Sequence, residues 1–369
     1  MAAGATSIDP NYRGPYAGGA PPSALEVHPP SLTRFGAREV RRLIVGTWTL
    51  GTAIVGALVR RKVAAVLHRA PPTRLVAAAE GAVDGFERLG PSWVKIGQII
   101  ASSPGMFPKT LADACQRTLD QVPPFDAAVA RQIIIEDLGR PPEVLFASFE
   151  ERPLSAASVG QVHGCVLPDG CRAVVKLQRP GIRDILTVDL RIMYRLARAL
   201  DRLGWMRITN PIGFVEDVHA LTFQELNAAL EATRQAAFRE KVWAFGDNRS
   251  MTVAEVYWNF CGPRVLCMER LSGVPMDEFE ELARRGVDGE LAMRRSSKVW
   301  IESVVIHGPF HGDMHAGNIW VLDDGRCAFL DFGIMGDLPP AFRTVIRDLL
   351  FTTMICPRFG VGWRLCSWS

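Results

Sequence analysis

The sequence predicts an α+β fold in which helices come first and two groups of short strands follow. Residues 71–138 have the apolar periodicity of helices. Residues 146–176 contain strand-like runs, and residues 319–330 hold two short apolar runs separated by a turn sequence. At 369 residues, the chain is long enough for two domains or one large two-lobed domain.

The composition narrows the possible classes of partner and compartment. A net charge of +3 with 22% charged residues gives no indication of nucleic-acid binding, so no such partner is predicted. The eight cysteines are scattered and form no C-x-x-C pair. They are therefore predicted to be reduced thiols in a cytoplasmic protein rather than a disulfide or zinc framework.

The N-terminal part of the chain changes character near residue 37. Residues 1–37 are rich in Pro, Gly and Ala, which predicts a disordered tail with no signal peptide. Residues 38–70 contain an uncharged apolar segment of 17 residues, Leu43–Val59. Basic residues flank it on both sides: Arg41, Arg42, Arg60, Arg61 and Lys62. A membrane span needs about 20 apolar residues, so two interpretations stay open: membrane association through residues 43–59, or a helix buried against the domain.

Residues 71–145 are predicted to form a helical region. The first helical stretch covers Ala77–Leu89 and leads into residues 91–98, a second helix covers Thr110–Leu119, and a third covers Ala127–Leu138 with Gly139 as its C-cap. Within residues 91–98, Lys95 and Gln98 are three residues apart and share one helix face. Taken by themselves, these two residues are typical of a solvated surface.

Residues 146–270 are predicted to form a first lobe that contains a phosphate-binding loop and a strand lysine. The stretch Ser155–His163 lies between two strand-like runs and is rich in small residues. Its backbone N–H groups could approach phosphates, so its central residues are candidates for nucleotide binding: Ala156, Ala157, Ser158, Val159, Gly160 and Gln161. The next strand ends in Lys176, which resembles the V-A-I-K lysine that holds the α- and β-phosphates of ATP.

Two further candidate positions follow in the first lobe. Helical patterns cover residues 182–203 and 209–238, and Glu231 is the candidate partner that would fix Lys176. Strands are predicted over residues 253–257 and 264–268. The stretch Met268–Leu271 is typical of an interlobe hinge, where Glu269 and Leu271 could contact adenine.

Residues 271–369 are predicted to form a second lobe that holds the reactive groups. Asp313 and Asn318 have the spacing H-x-D-x-x-x-x-N of a kinase catalytic loop, and Asp331 begins the tripeptide Asp-Phe-Gly. Between them, residues 319–322 and 326–330 form two short apolar strands, and Asp323–Gly325 supplies the turn. This hairpin would bring the loop and the Asp-Phe-Gly element close together.

The residue types in this hairpin fit phosphoryl transfer from ATP, which depends on positioning and charge neutralisation. Mg²⁺ prefers hard oxygen ligands, which the Asn318 amide and the Asp331 carboxylate could supply. Asp313 would orient a nucleophile or accept its proton. The alternative is a structural hairpin that carries incidental acids.

Together these motifs resemble the UbiB/AarF family of atypical kinase-like proteins, which is linked to isoprenoid quinone biosynthesis. The similarity spans roughly residues 75–350. It rests on the K-x-G-Q sequence Lys95–Gln98, on the alanine-rich loop within Ser155–His163, on HGDMHAGN and on DFG.

The resemblance implies a two-lobed protein-kinase-like fold with an N-terminal helical extension. In this family the K-x-G-Q helix covers the position where a protein substrate would dock, and the alanine-rich loop favours ATPase or small-molecule kinase activity. By similarity, Lys176 pairs with Glu231, Asp313 is catalytic, and Asn318 and Asp331 bind the metal. Lys95, Gln98 and Glu225 would be regulatory. The implied ligands are ATP and Mg²⁺, together with a membrane surface and a lipid or quinone precursor.

Two departures from the family pattern affect the functional prediction. Asn227 stands where the family has Asp in a Glu-x-Asp motif that begins at Glu225. After a predicted helix over residues 340–355, residues 356–369 lack helical periodicity, so the second lobe is expected to be incomplete. Three functions stay open: an ATP-dependent kinase or ATPase in quinone or lipid metabolism, a small-molecule phosphotransferase with another acceptor, and a non-catalytic nucleotide-binding scaffold.

Overall fold

A computed structural model gives the fold. It describes residues 8–9, 11–67, 72–102, 105, 107–119, 123–204, 210–244 and 246–355. The predictions made for residues 1–7 and for the C-terminal segment 356–369 lie outside the described residues.

Helices and strands occur in the order that the sequence patterns predict. The helices are α1 (Pro22–Leu25), α2 (Ala37–Val66), α3 (Arg74–Leu89), α4 (Pro91–Ser102), α5 (Lys109–Cys115), α6 (Ala127–Leu138), α7 (Pro142–Leu145), α8 (Ile182–Arg202), α9 (Pro211–Glu225), α10 (Ala228–Ala244), α11 (Phe279–Arg284), α12 (Gly289–Glu302) and α13 (Pro340–Ile355). The strands are β1 (Ser148–Phe149), β2 (Ser155–Ala156), β3 (Gly160–Val166), β4 (Arg172–Gln178), β5 (Met251–Val253), β6 (Val265–Glu269), β7 (Gly273–Pro275), β8 (Phe310–His311), β9 (Ile319–Leu322), β10 (Cys327–Phe329) and β11 (Met335–Gly336).

The α+β prediction is confirmed, and the chain forms two compact units. Unit 1 comprises residues 1–229 and 257–268, and unit 2 comprises residues 230–256 and 269–369. The chain therefore passes from one unit to the other between Met268 and Glu269, within the stretch predicted as a hinge.

Unit 1 contains a sheet with the strand order β1-β3-β4-β6. Strand β2 pairs with the beginning of β3, at Gln161 and Val162. Strands β3 and β4 are antiparallel over their full length, and Val162 lies opposite Lys176. Gly160 is required in this register because a Cβ there would lie 2.4 Å from the Leu177 carbonyl oxygen. The sheet thus places the strand lysine beside the alanine-rich hairpin.

The apolar segment Leu43–Val59 is part of the longer helix α2. One face of α2 packs closely on α3, where a Cβ at Gly81 would lie 2.7 Å from the Cα of Ile54. The other face is exposed and apolar, with Trp48 at 74% exposure. Among the described residues α2 alone is long and apolar enough to cross a membrane, and only 17% of its most apolar window is buried. The packed face agrees with a helix buried against the domain, and membrane association through the exposed face stays a prediction.

The prediction of a disordered tail needs correction for the described residues before α2. Tyr16 is buried, the Tyr12 hydroxyl donates to the Leu138 carbonyl at 2.9 Å, and the Asp9 N–H donates to the Val144 carbonyl at 3.1 Å. Low apolar content suggested disorder, but a few aromatic side chains and many backbone hydrogen bonds hold this segment on unit 1.

All six cysteines in the described part of the chain are free, and the predicted reducing compartment stays a prediction. Five of them are buried, and burial raises the pKa of the Cys261 thiol to about 12. A thiol with so high a pKa is a poor nucleophile. The five buried cysteines therefore serve as small apolar residues of the core.

Unit 2 is built on a four-stranded sheet with the order β5-β10-β9-β7. Strand β10 is parallel to β5 and antiparallel to β9. The core of the unit packs on this sheet and includes Phe238, Phe329 and Phe332, each of which is almost fully buried. The predicted hairpin is thus part of the central sheet, which fixes both of its ends.

Candidate active site

The β9–β10 hairpin brings the loop residue Asn318 next to the Asp-Phe-Gly element. Ile319 lies opposite Phe329 in the antiparallel register, and Gly325 takes the positive φ of 81° that the turn requires. At the open end of the hairpin, the Leu330 N–H donates to the Asn318 carbonyl at 2.9 Å. The predicted proximity of the loop and the Asp-Phe-Gly element is confirmed.

His311 joins the loop to the Asp-Phe-Gly element from the other side. Its Nδ1 accepts from the Asp313 N–H at 3.2 Å, so the proton of the neutral ring lies on Nε2, which donates to the Leu330 carbonyl at 2.9 Å. The His311 side chain is 1% exposed. His311 therefore has a structural role, because it links the backbone at Asp313 to the backbone at Leu330. Its position in the motif did not indicate this role.

Asp331 has a φ of 59°, in the left-handed region that few residues other than glycine adopt. The Gly333 N–H donates to its Oδ1 at 3.2 Å, a local bond that helps to hold this conformation. Next to it, Phe332 is fully buried against Phe238 and His311. Strained residues of this kind concentrate at functional sites, so the backbone of Asp331 supports its assignment.

Asp313 is the solvent-accessible acid of the loop. Its side chain is 52% exposed and lies 3.8 Å from the imidazole of His315. The Asn318 Nδ2 donates to the Asp313 carbonyl at 3.0 Å. This bond fixes the Asp313 backbone and shows that the Asn318 amide oxygen is the atom that would serve as a metal ligand.

The donor set in the hairpin fits Mg²⁺. Asn318 supplies an amide oxygen and Asp331 a carboxylate, both hard oxygen ligands. No group of three or more His, Cys, Asp or Glu residues suited to a metal occurs in the part of the chain that the structure describes. Asn318 and Asp331 would give two protein ligands, a number suited to a metal ion that takes its other ligands from phosphates and water.

Lys176 and Glu231 lie in different units. Lys176 is a half-buried residue of β4 in unit 1, and Glu231 is 2% exposed near the start of α10 in unit 2. In unit 2, burial lowers the pKa of the Arg234 guanidinium, and the nearby charge of Glu231 opposes that decrease. Arg234 also donates to the Gly333 carbonyl at 2.8 Å. The pairing of Lys176 with Glu231 stays a prediction.

The alanine-rich loop is a tight hairpin between β2 and β3. The Ala157 N–H donates to the Gly160 carbonyl at 2.7 Å, and Ala156 lies opposite Gln161. Arg179 fixes the tip: its backbone N–H donates to the Val159 carbonyl at 2.8 Å, and its guanidinium donates to the Ala157 carbonyl at 3.3 Å. These hydrogen bonds fix the backbone of the loop, and its contact with phosphates stays a prediction.

Three side chains of this loop differ from the simple nucleotide-binding prediction. Ser158 and Val159 are buried, and Val159 belongs to an apolar cluster of unit 1. The amide of Gln161 is 1% exposed and bonds to the backbone of Phe125 and to the Nε2 of His163. The Gln161 side chain is therefore structural, because its hydrogen-bonding groups are used inside the fold.

The hinge prediction also needs adjustment at Glu269. Its N–H donates to the Glu255 carbonyl at 2.8 Å, and its carboxylate accepts from the Glu255 N–H at 3.1 Å. The Glu269 N–H is thus already used within unit 2 and could not donate to adenine. Leu271 is half-buried and stays a candidate.

The K-x-G-Q sequence lies in α4 and fixes that helix within unit 1. The Lys95 ammonium binds the Glu225 carboxylate at 2.8 Å, and both side chains are less than 20% exposed. Gln98 donates to the Thr118 carbonyl at 3.1 Å. A Cβ at Gly97 would lie 3.0 Å from two side-chain atoms of Thr118. All three identified positions of the motif therefore take part in helix packing or pairing, and the solvated-surface interpretation is wrong.

Comparison with known proteins identifies the family. Residues 117–357 match the model of the ABC1 atypical kinase-like domain. The chain belongs to this family. The resemblance to UbiB/AarF proteins is likewise confirmed, because a probable protein kinase UbiB of Pseudomonas fluorescens is 33% identical over 72% of this chain and 50% of its own length.

Other members and a solved structure are also similar. The uncharacterized protein Rv0647c of Mycobacterium tuberculosis is 39% identical over 73% of this chain and 55% of its own length. The structure of Rv3197 in complex with erythromycin, also from M. tuberculosis, is 29% identical and covers 72% of this chain and 69% of its own, with a TM-score of 0.49. The chain spans about half the length of the curated relatives it matches.

Proposed function

We propose that this chain binds ATP with Mg²⁺ and acts as an ATPase or a kinase of a small molecule. Membership of an atypical kinase-like family supports the class of reaction. The observation that carries the proposal is the hairpin of unit 2, in which one set of backbone and His311 hydrogen bonds holds Asp313, Asn318 and Asp331 together.

Each residue of the hairpin has a distinct role in this proposal. Asn318 and Asp331 would hold Mg²⁺, which neutralises charge on the phosphates when bound. Asp313 is exposed to solvent, so it can reach an acceptor hydroxyl or water and take up its proton. Lys176 and the backbone of the alanine-rich loop are the candidates for phosphate binding in unit 1. His311 holds the loop and the Asp-Phe-Gly element at a fixed distance.

A thermal-shift titration with Mg-ATP and Mg-ADP tests the nucleotide site. A ligand that binds only the folded state stabilises it by about 2.7 kcal/mol at 100 times its Kd. We expect a Mg²⁺-dependent rise in Tm for the wild type and its loss in Asp331→Asn. Asp324→Asn is the matched control, because Asp324 lies in the turn of the same hairpin and pairs only with Arg326 among the described contacts.

The outcomes separate the functional alternatives. A Mg²⁺-dependent shift that survives in Asp331→Asn would refute the metal assignment. A cooperative melt with no shift for the wild type would contradict the proposed function and favour the scaffold alternative. Binding without turnover would support a nucleotide-binding scaffold, and turnover with a panel of acceptors would separate an ATPase from a small-molecule phosphotransferase.

The proposal extends to a membrane surface. The outer face of α2 carries a row of exposed apolar side chains at helical spacing: Ile44, Trp48, Val55, Val59, Val63 and Val66. Basic residues stand at both ends of the apolar segment, which suits a helix lying on anionic headgroups. The association with quinone or lipid metabolism comes from the family resemblance. A cytoplasmic protein bound to a membrane through this face would meet such apolar substrates at the lipid boundary.

Co-sedimentation with phosphatidylcholine–phosphatidylglycerol vesicles tests this part. Trp48→Glu is expected to reduce the bound fraction, because it replaces the largest exposed side chain of the apolar face by a charge. Phe342→Glu is the control, since Phe342 is an aromatic residue of α13 with a comparable exposure of 63%. Equal binding of Trp48→Glu and the wild type would exclude this face as the membrane contact.

A further inference from the structure

Residues 24–33, here called the strap, lie along helix α8 in unit 1. Three arginines of α8 donate to three strap carbonyls: Arg183 to His28 at 3.0 Å, Arg191 to Ser31 at 2.9 Å and Arg195 to Thr33 at 2.8 Å. Each contact joins residues more than 150 positions apart in sequence. The strap is therefore held by a row of charged donors, although its composition predicted disorder.

The strap also covers an apolar cluster that touches the K-x-G-Q helix. Val27 and Leu32 pack against a cluster of buried residues that includes Phe223 of α9 and Leu226, which follows α9. Ile99 of α4 packs against the same cluster. One apolar cluster thus joins the strap, the helix that carries Lys95 and Gln98, and the turn that follows α9.

Asn227 connects the strap to the partner of Lys95. It lies in the break between α9 and α10, two residues after Glu225, and its Nδ2 donates to the Ala24 carbonyl at 2.8 Å. Leu226, between them, is buried, and its carbonyl accepts from the Gln178 side chain at 3.1 Å. The backbone that positions Glu225 is therefore fixed from the strand side by Gln178 and from the strap side by Asn227.

We propose that the strap is an intramolecular positioning element and that Asn227 is the positioning residue through which it fixes Glu225 and, through Lys95, helix α4. The inference rests on the proposed function in that it assigns regulation to the same nucleotide site. An ionised aspartate at position 227 would have no hydrogen-bond donor, so it could not bind the Ala24 carbonyl. The asparagine that departs from the family pattern is thus the residue that makes this contact possible.

Hydrogen exchange measured on the full chain without nucleotide tests the coupling. Asn227→Asp is expected to increase exchange about tenfold in residues 24–33 and 91–102, because the partly buried Ala24 carbonyl loses its donor and local opening becomes easier. Asn259→Asp is the matched control. Its amide donates to the Tyr12 carbonyl at 3.3 Å, so the same substitution weakens the same N-terminal segment at a point far in sequence from Glu225, and exchange in residues 91–102 should not change.

Glu225→Gln establishes the order of the contacts. It removes the charge that Lys95 binds but leaves the strap bond in place, so exchange should rise in residues 91–102 and not in residues 24–33. The double variant Asn227→Asp/Glu225→Gln should exchange in residues 91–102 no faster than the faster single variant, because both act through one pair. General destabilisation would instead give additive increases.

Three outcomes would overturn the inference: unchanged exchange in residues 24–33 of Asn227→Asp, release of the strap without faster exchange in residues 91–102, or additive behaviour of the double variant. Should Asn227→Asp not melt cooperatively, Arg183→Ala removes a strap contact elsewhere and must give the same two-segment increase. The Kd for Mg-ATP is measured on the same proteins. Absence of binding by the wild type would contradict the proposed function, while the exchange data would still decide the coupling.

Discussion

The hairpin of unit 2 and the K-x-G-Q region of unit 1 both carry candidate functional residues. The two regions differ in how far apart in sequence their contacting residues lie. The contact of His311 with Leu330 joins residues 19 positions apart. Lys95 and Glu225 are 130 positions apart, and Asn227 and Ala24 are 203 apart. A local site is encoded in one continuous stretch, whereas the second region exists only when distant helices meet. Substitutions in the hairpin should therefore act on chemistry, and substitutions in the K-x-G-Q region on position and stability.

The largest effect is expected from Asp313→Asn, which tests whether the hairpin acts through chemistry. Loss of a general base lowers turnover by about 10²- to 10⁴-fold, while Mg-ATP binding should persist because Asp313 is not one of the proposed metal ligands. Steady-state phosphate release and a nucleotide titration on the same sample measure both quantities. Turnover equal to that of the wild type would rule out Asp313 as the catalytic acid or base, and Asp324→Asn is the control for charge loss in the same hairpin.

The next effect concerns the core beneath the hairpin. Phe332 is fully buried, and Phe→Ala substitutions in a core cost about 3–5 kcal/mol. Phe332→Ala should therefore lower the free energy of unfolding of unit 2 by about that amount, as measured by denaturant titration. Phe342→Ala is the control, because Phe342 is 63% exposed, and it should change stability by less than about 0.5 kcal/mol. Similar losses for the two variants would contradict the packing described for Phe332.

The third prediction concerns Gly97→Ala in helix α4 of unit 1. The added methyl group would lie 3.0 Å from Thr118, so overpacking should destabilise the protein by about 1–3 kcal/mol. Gly51→Ala is the matched control in another helix, where an added Cβ meets nothing within 4 Å, and replacing Gly by Ala should stabilise by about 0.5–1 kcal/mol. Thermal unfolding of the two variants gives opposite signs if α4 packs as described, and the same sign if it does not.

The distance between contacting residues also explains what the sequence could predict. The hairpin bounds, the turn and the proximity of Asn318 to the Asp-Phe-Gly element follow from local periodicity and one glycine. Lys95 could be recognised by its motif, but nothing local indicated its partner. The strap was predicted to be disordered, because neither its own composition nor its spacing shows that arginines 155 to 162 positions away bind its carbonyls.

The smallest effect comes from a buried histidine that the sequence indicated only as the end of the alanine-rich loop. His163 is fully buried, its Nδ1 bonds the Glu150 carbonyl at 2.8 Å, and burial lowers its pKa below the ordinary value. The unfolded chain takes up a proton near pH 6.5, whereas the folded protein resists protonation. The contribution of neutral His163 to the free energy of unfolding is therefore complete above pH 6.5. It is lost as the pH falls toward the pKa of the folded state.

Thermal or denaturant unfolding between pH 7.5 and 5 measures this contribution. Below pH 6.5 the wild type should lose up to about 1.4 kcal/mol per pH unit through this group, and His163→Gln should remove that part of the slope, because glutamine does not titrate. An identical pH dependence of His163→Gln and the wild type would show that the loop is not held by a neutral histidine. A reduced slope would show that unit 1, like the hairpin, depends on a buried imidazole that joins two backbone segments.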